Sequence, residues 1–158
     1  MNTTTKIIFL DVDGVLNCEQ TWKGPHEDGF ATLDPDMCDR LARIVQETGA
    51  IVVLSSTWRL FGGPPLEKLT RWLLEREIVI HSHTKDLSHD TLVRGEEIAC
   101  WLIDHAEEFP PLEREFVILD DDSDMLDWQK PNFVHTSFKD GLTENHMKKA
   151  IRIPNEGQ

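Results

Sequence analysis

The sequence predicts an α/β protein built on a mainly parallel sheet of five strands with helices on both faces. Two observations carry that prediction. First, short apolar runs recur at residues 7–10, 50–54 and 116–119, and they alternate with segments of helical periodicity. Strands apolar on both faces belong in a parallel sheet that helices cover on both sides. Second, each run ends in acids or hydroxyls: Asp11-Val12-Asp13-Gly14, then Ser55-Ser56-Thr57, then Asp120-Asp121-Asp122-Ser123-Asp124. Ligands of open α/β sheets bind outside the carboxyl ends of the strands. Such a fold would gather Asp11, Asp13, Ser55, Asp120 and Asp121 at one edge. One polar strand end would mean nothing; three with the same chemistry point to a site.

The elements follow in order. Residues 6–10 form the first strand. Residues 18–33 read as a loop around Gly24, Pro25 and Gly29. Its Trp22 and Phe30 would either line a substrate lip or pin the loop to the core. Asp34 caps a helix and Pro35 suits its first position. Met37, Leu41, Ile44 and Val45 give that helix an apolar face, and Gly49 is placed to end it. The second strand covers 50–54. A turn over 61–65 leads to a helix through about Arg76, with Leu66, Leu69, Trp72 and Leu73 inward. Residues 78–80 read as the third strand, and 84–92 as polar loop. Arg94 opens a helix whose Glu96 and Glu97 suit the positive end of its dipole. Ile98, Trp101 and Leu102 face its core. The fourth strand covers 115–119 and a short fifth covers 132–135. Thr143 caps a last helix to about Ile151, and residues 154–158 are expected to fray.

With 158 residues the chain reads as one domain, residues 1–158, large enough for a proper core. No apolar run approaches a membrane span, and residues 1–6 lack the shape of a signal peptide. Cys18, Cys38 and Cys100 are odd in number and scattered. They suit reduced thiols in a cytoplasmic protein, without the paired spacing of a zinc site. His81, His83 and His89 alternate on a strand and its loop, which suits surface histidines better than a metal centre. The formal net charge of −13 repels nucleic-acid backbones, so a nucleic-acid partner is disfavoured on charge. Lys148, Lys149 and Arg152 form a small basic cluster near the C-terminus.

Two carboxylates as close as Asp11 and Asp13 repel each other unless something neutralises them. A divalent cation is the usual solution, and Mg²⁺ favours carboxylate oxygens plus water. These residues resemble the haloacid dehalogenase (HAD) superfamily over nearly the whole chain. Asp11-Val12-Asp13-Gly14-Val15 looks like its first motif, Ser55 its second, Arg94 its third and Asp120-Asp121 its fourth. The resemblance implies a three-layer Rossmann-like fold and an Mg²⁺-dependent phosphatase. Asp11 would be the nucleophile and Asp13 the general acid and base. Asp11, Asp120, Asp121 and Asp13 through its carbonyl would hold the metal. Ser55, Ser56 and Arg94 would bind phosphate. Lys85 or Arg59 could replace Arg94 as the neutralising cation, and the metal ligand could fall one place later within the acidic run.

The short spacing between motifs implies no large cap domain. An open site of that kind suits a large substrate, or uses a partner chain as lid. Ser55-Ser56-Thr57-Trp58-Arg59 and the late Gly141-Leu142-Thr143 are similar to phosphatase domains of polynucleotide-repair proteins. That similarity implies a nucleotide or a nucleic-acid 3′-phosphate as substrate. Trp58 could then stack on a base and Arg59 clamp a phosphate; the competing reading is a core Trp and a surface Arg. Two other classes of function share the fold: a phosphotransferase or phosphoacceptor module, and a non-catalytic regulatory protein. Asp13 argues against the first, and the intact acids at 11, 13, 120 and 121 argue against the second.

Overall fold

The computed structural model describes residues 4–24 and 32–156. Five strands form one sheet: β1 (Thr5–Leu10), β2 (Ile51–Leu54), β3 (Ile80–His83), β4 (Arg114–Asp120) and β5 (Phe133–His135). Their spatial order is β3-β2-β1-β4-β5, and every neighbouring pair is parallel. Among the described residues six α-helices accompany them: α1 (Glu19–Lys23), α2 (Pro35–Thr48), α3 (Trp58–Phe61), α4 (Gly63–Leu74), α5 (Arg94–Asp104) and α6 (Glu144–Glu156).

The side-chain alternation of the central strands divides the core in two. Ile8, Leu10, Val52, Leu54, Val117 and Leu119 pack under Leu41 and Ile44 of α2, Leu69 and Leu73 of α4 and Ala150 of α6. Ile7, Phe9, Val53 and Ile118 point the other way, onto Ile98, Trp101 and Leu102 of α5. Both faces of the sheet are therefore covered, which is why its strands read as unbroken apolar runs.

Register positions the site. Leu10 lies level with Leu54 on one side and Leu119 on the other, so β1, β2 and β4 stop together. The ladder runs one residue further: Asp11 N–H donates to the Leu119 carbonyl at 3.0 Å and Ser55 N–H to the Leu10 carbonyl at 2.9 Å.

Four boundaries differ from the sequence reading. The described part of the expected 18–33 loop contains α1, while Phe30 lies outside the described residues. The expected strand at 78–80 falls instead at Ile80–His83. Glu77 adopts a left-handed φ of 60°, and Ile78 N–H closes back on the Leu73 carbonyl at 2.9 Å. Ile78 is thereby buried under the sheet while Val79 faces outward, so the apolar signal marks a turn rather than the strand. The segment between β2 and α4 is helical as α3, not simply a turn. Finally, α6 continues to Glu156, beyond the expected end at Ile151. No described helix is long and apolar enough to cross a membrane.

Candidate active site

At the level edge of β1, β2 and β4, carboxylate oxygens of Asp11, Asp120 and Asp121 lie within 4.8 Å of one another. The turn that follows β1 permits this. Gly14 has a φ of 79°, and a Cβ there would run into the Asp121 carboxylate. Glycine therefore meets two demands at once: the left-handed backbone and the close approach of an acid.

Asp11 and Asp120 are almost fully buried. Burial, then the neighbouring Asp120 charge, pushes the Asp11 carboxyl well above the usual carboxylate range. Burial likewise pushes Asp120 up to about 7, against the opposing pull of Arg94. Asp121 is also raised, first by burial. Asp120 Oδ1 accepts from the Asp122 N–H at 2.9 Å, but its buried Oδ2 has no hydrogen-bond partner. Three desolvated acids, one with an oxygen that no hydrogen bond satisfies, fit a small hard cation that supplies the missing charge.

Asp13 does not join this cluster with its carboxylate. Its Oδ1 accepts from Asn17 Nδ2 at 2.9 Å and from the Trp58 indole N–H at 3.1 Å. Any share it takes in a metal would have to come from its backbone carbonyl. The acidic run sorts the same way. Asp120 and Asp121 face the cluster, whereas Asp124 Oδ2 accepts the Arg94 backbone N–H at 2.8 Å at the start of α5. Asp122 contributes its backbone N–H to Asp120 rather than a ligand.

The three cations singled out in the sequence have three different fates. Arg94 Nε lies 3.5 Å from Asp120 Oδ2, and its Nη1 is buried without a hydrogen-bond partner. Lys85 is exposed and pairs with Asp104 at 2.7 Å. Arg59 is buried: its Nη1 donates to the Ser56 and Ser55 carbonyls at 2.6 and 3.3 Å, and its Nη2 to Glu97 Oε2 at 2.7 Å. It is thus neither a surface residue nor a free phosphate clamp; it braces the loop after β2. Trp58 is only 2 % exposed, so it has no face to offer a base.

On that loop, Ser55 and Ser56 are fully buried, and Ser55 Oγ has no hydrogen-bond partner. Ser56 Oγ accepts the Trp58 backbone N–H at 3.2 Å. Trp22, which could have lined a lip or pinned its loop, packs against Phe138 with ring centroids 6.1 Å apart, both rings partly exposed. His81 meets Glu108, and neither it, His83 nor His89 belongs to a metal-ligating group among the described residues.

Sequence reasoning missed Asn17 and Glu97. Asn17 is fully buried and bridges the turn: its Oδ1 accepts Gly14 N–H at 3.0 Å while its amide holds Asp13. Glu97 joins both arginines, reaching Arg94 Nη1 at 3.5 Å through Oε1, and it also accepts Leu87 N–H at 3.0 Å. Its position three residues after Arg94 on one helix was a usable signal; it was read only as a dipole-compatible acid.

An all-parallel five-stranded sheet, with these motifs at the ends of its central strands and no large inserted domain among the described residues, defines a capless α/β domain of the HAD type. More narrowly, the chain belongs to the family described as the HAD domain in Swiss Army Knife RNA repair proteins, which it matches over residues 7–147. No curated protein and no solved structure matches it.

Proposed function

We propose that this protein is an Mg²⁺-dependent phosphomonoesterase that works through an aspartyl-phosphate on Asp11. One observation carries the reading: a metal-compatible trio of carboxylates stands beside a Ser55 hydroxyl and an Arg94 guanidinium nitrogen that are buried without a hydrogen bond. A phosphate dianion would satisfy both donors and needs the positive charge.

In the first half-reaction an Asp11 oxygen attacks phosphorus. The bond from phosphorus to the leaving oxygen breaks, and Asp13 gives that oxygen its proton. In the second half a water attacks the acyl phosphate while Asp13 takes the water's proton, releasing inorganic phosphate and free Asp11. Asp11, Asp120 and Asp121 would hold the cation, which supplies charge relief between nucleophile and phosphate. Ser55, the Ser56 backbone and Arg94 would hold the equatorial oxygens. Arg59 and Glu97 would keep that loop and Arg94 in place.

The family description names RNA repair, which favours a nucleotide or a nucleic-acid 3′-phosphate as substrate. The net charge of −13 favours recognition of the terminal nucleotide alone. So does the cleft beside Arg94, which is lined by Asp86, Asp122 and Asp124 as well as by Arg59. The test is phosphate release from nucleotides, sugar phosphates, phosphopeptides and 3′-phosphorylated oligonucleotides, with Mg²⁺ and after exhaustive chelation. Turnover that needs Mg²⁺, with a labelled Asp11 peptide after rapid quenching, is expected. Full activity after chelation would remove the metal from the reaction.

A further inference from the structure

We propose that Trp58 and Asn17 act as positioning residues, a two-donor fork that fixes which oxygen of Asp13 exchanges the proton. The inference rests on the phosphatase reading above and adds two residues to it. Both donors fall on the same atom, Asp13 Oδ1, from Asn17 Nδ2 at 2.9 Å and Trp58 Nε1 at 3.1 Å. Two fixed donors already occupy the lone pairs of Oδ1, which leaves Oδ2 as the oxygen open to a substrate or a water. Oδ2 is then the oxygen that carries the proton to the leaving group and takes it back from water.

The fork has no freedom to turn. Asn17 must present its NH₂ to Asp13, because its carbonyl oxygen is engaged by the Gly14 N–H at 3.0 Å and an indole has only a donor to offer. Trp58 is 2 % exposed, and its backbone N–H is tied to Ser56 Oγ at 3.2 Å. The indole therefore links the acid to the loop that would hold phosphate. Asp13 and the phosphate seat are set against each other through one rigid ring, the kind of alignment whose loss by about 1 Å costs on the order of 10²-fold in rate.

Trp58→Phe removes the N–H and keeps the ring. Phosphate release is measured on an alkyl phosphate and on an aryl phosphate with a good leaving group, with thermal unfolding recorded alongside. On the alkyl phosphate kcat should fall by about tenfold or more, with KM changed by less than about twofold, because proton delivery is the step affected. On the aryl phosphate the fall should be under about threefold, since that leaving group needs little help. Adding Trp58→Phe to Asp13→Asn should slow alkyl phosphate turnover no further, because the two residues act as a unit. Equal losses on both substrates, or additive losses in the double variant, would make Trp58 a packing residue and overturn the proposal. The contact is also read without turnover: the Trp58 indole proton resonance should move upfield in Asp13→Ala. An unmoved resonance sinks the fork itself, whereas a moved resonance in a wild type that hydrolyses no phosphate overturns the phosphatase reading alone.

Discussion

Asp11 and Asp13 stand two residues apart on one turn and have opposite surroundings. Asp11 is desolvated, faces two further acids and has its carboxyl pushed up by burial. Asp13 is partly exposed, lies outside the acid cluster and has two donors on one oxygen. Strand geometry explains the separation: Asp11 still follows the β1 ladder, while Asp13 is already on the turn that Gly14 opens. The contrast teaches that identical side chains acquire different chemistry from what they are denied as much as from what they contact. For Asp11 the pull of Arg94 and of the Val12 N–H is outweighed by burial and neighbouring acids, which suits a cation, whereas Asp13 has two side-chain donors of its own.

The comparison breaks most directly at Asp11. Asp11→Asn should lower phosphate release by about 10⁴-fold or more, as loss of a covalent nucleophile does. The metal-free protein should unfold at the same temperature or higher, since one buried charge is gone. Turnover within tenfold of wild type, measured by steady-state phosphate release, would end the assignment of Asp11 as nucleophile.

Asp13→Asn should cost less, about 10²–10⁴-fold on alkyl phosphates, and less again on aryl phosphates in single-turnover release. A flat profile across leaving groups would make the two carboxylates more alike than proposed.

Glu97→Gln sharpens the comparison from outside. It removes the charge shared by Arg59 and Arg94, whose side chains are almost buried. Leaving buried cations short of a counter-charge should lower stability by about 3 kcal/mol, read as a lower denaturation midpoint. No change would mean the arginines hold the phosphate loop unaided.

A smaller effect appears with pH. The folded Asp120 carboxyl sits at about 7, above its unfolded value near 3.8. Between those values the folded chain binds a proton that the unfolded chain has lost, so stability falls as pH rises through that window and stays low above it. Asp11 shifts in the same direction. The metal-free protein should therefore show a lower Tm at about pH 8 than at about pH 5, and added Mg²⁺ should raise Tm more at the higher pH. Equal Mg²⁺ effects at both would place the ion elsewhere.

The smallest effect concerns substrate length. With no basic track implied by a charge of −13, rates on 3′-phosphorylated oligonucleotides should be nearly independent of length beyond the terminal nucleotide and of added NaCl. A rate that climbs with length and collapses with salt would reveal a backbone-binding surface.

Much of this was legible in the sequence, for identifiable reasons. β1, β2 and β4 are buried on both faces, so their apolar runs were unambiguous and the acids at their ends followed. The edge strand β3 carries His81 and His83 on its exposed side and left no such run. The buried Ile78 beside it belongs to a turn that only a left-handed Glu77 reveals. The support around the site was harder. Trp58, Arg59, Asn17 and Glu97 act on one another across separate segments, and composition and periodicity carry no trace of such pairings. Their chemistry left substrate contact and a core Trp with a surface Arg equally open for Trp58 and Arg59, whereas burial turns both side chains toward the site's own walls.

The order of strands in the sheet has a consequence for how the protein comes into being. β1 is the first strand to be made and β4 one of the last, yet Leu10 and Leu119 lie side by side. A chain emerging from the ribosome carries Asp11 and Ser55 long before Asp120 and Asp121 exist. Until β4 docks, the apolar edge of β1 has no neighbour on that side, and Asp11 lacks the two acids it faces in the folded site. The proposed site is therefore incomplete until β4 has been made. A chain cut short before Arg114 would carry three strands that pair in the order β3-β2-β1 and still lack Asp120 and Asp121.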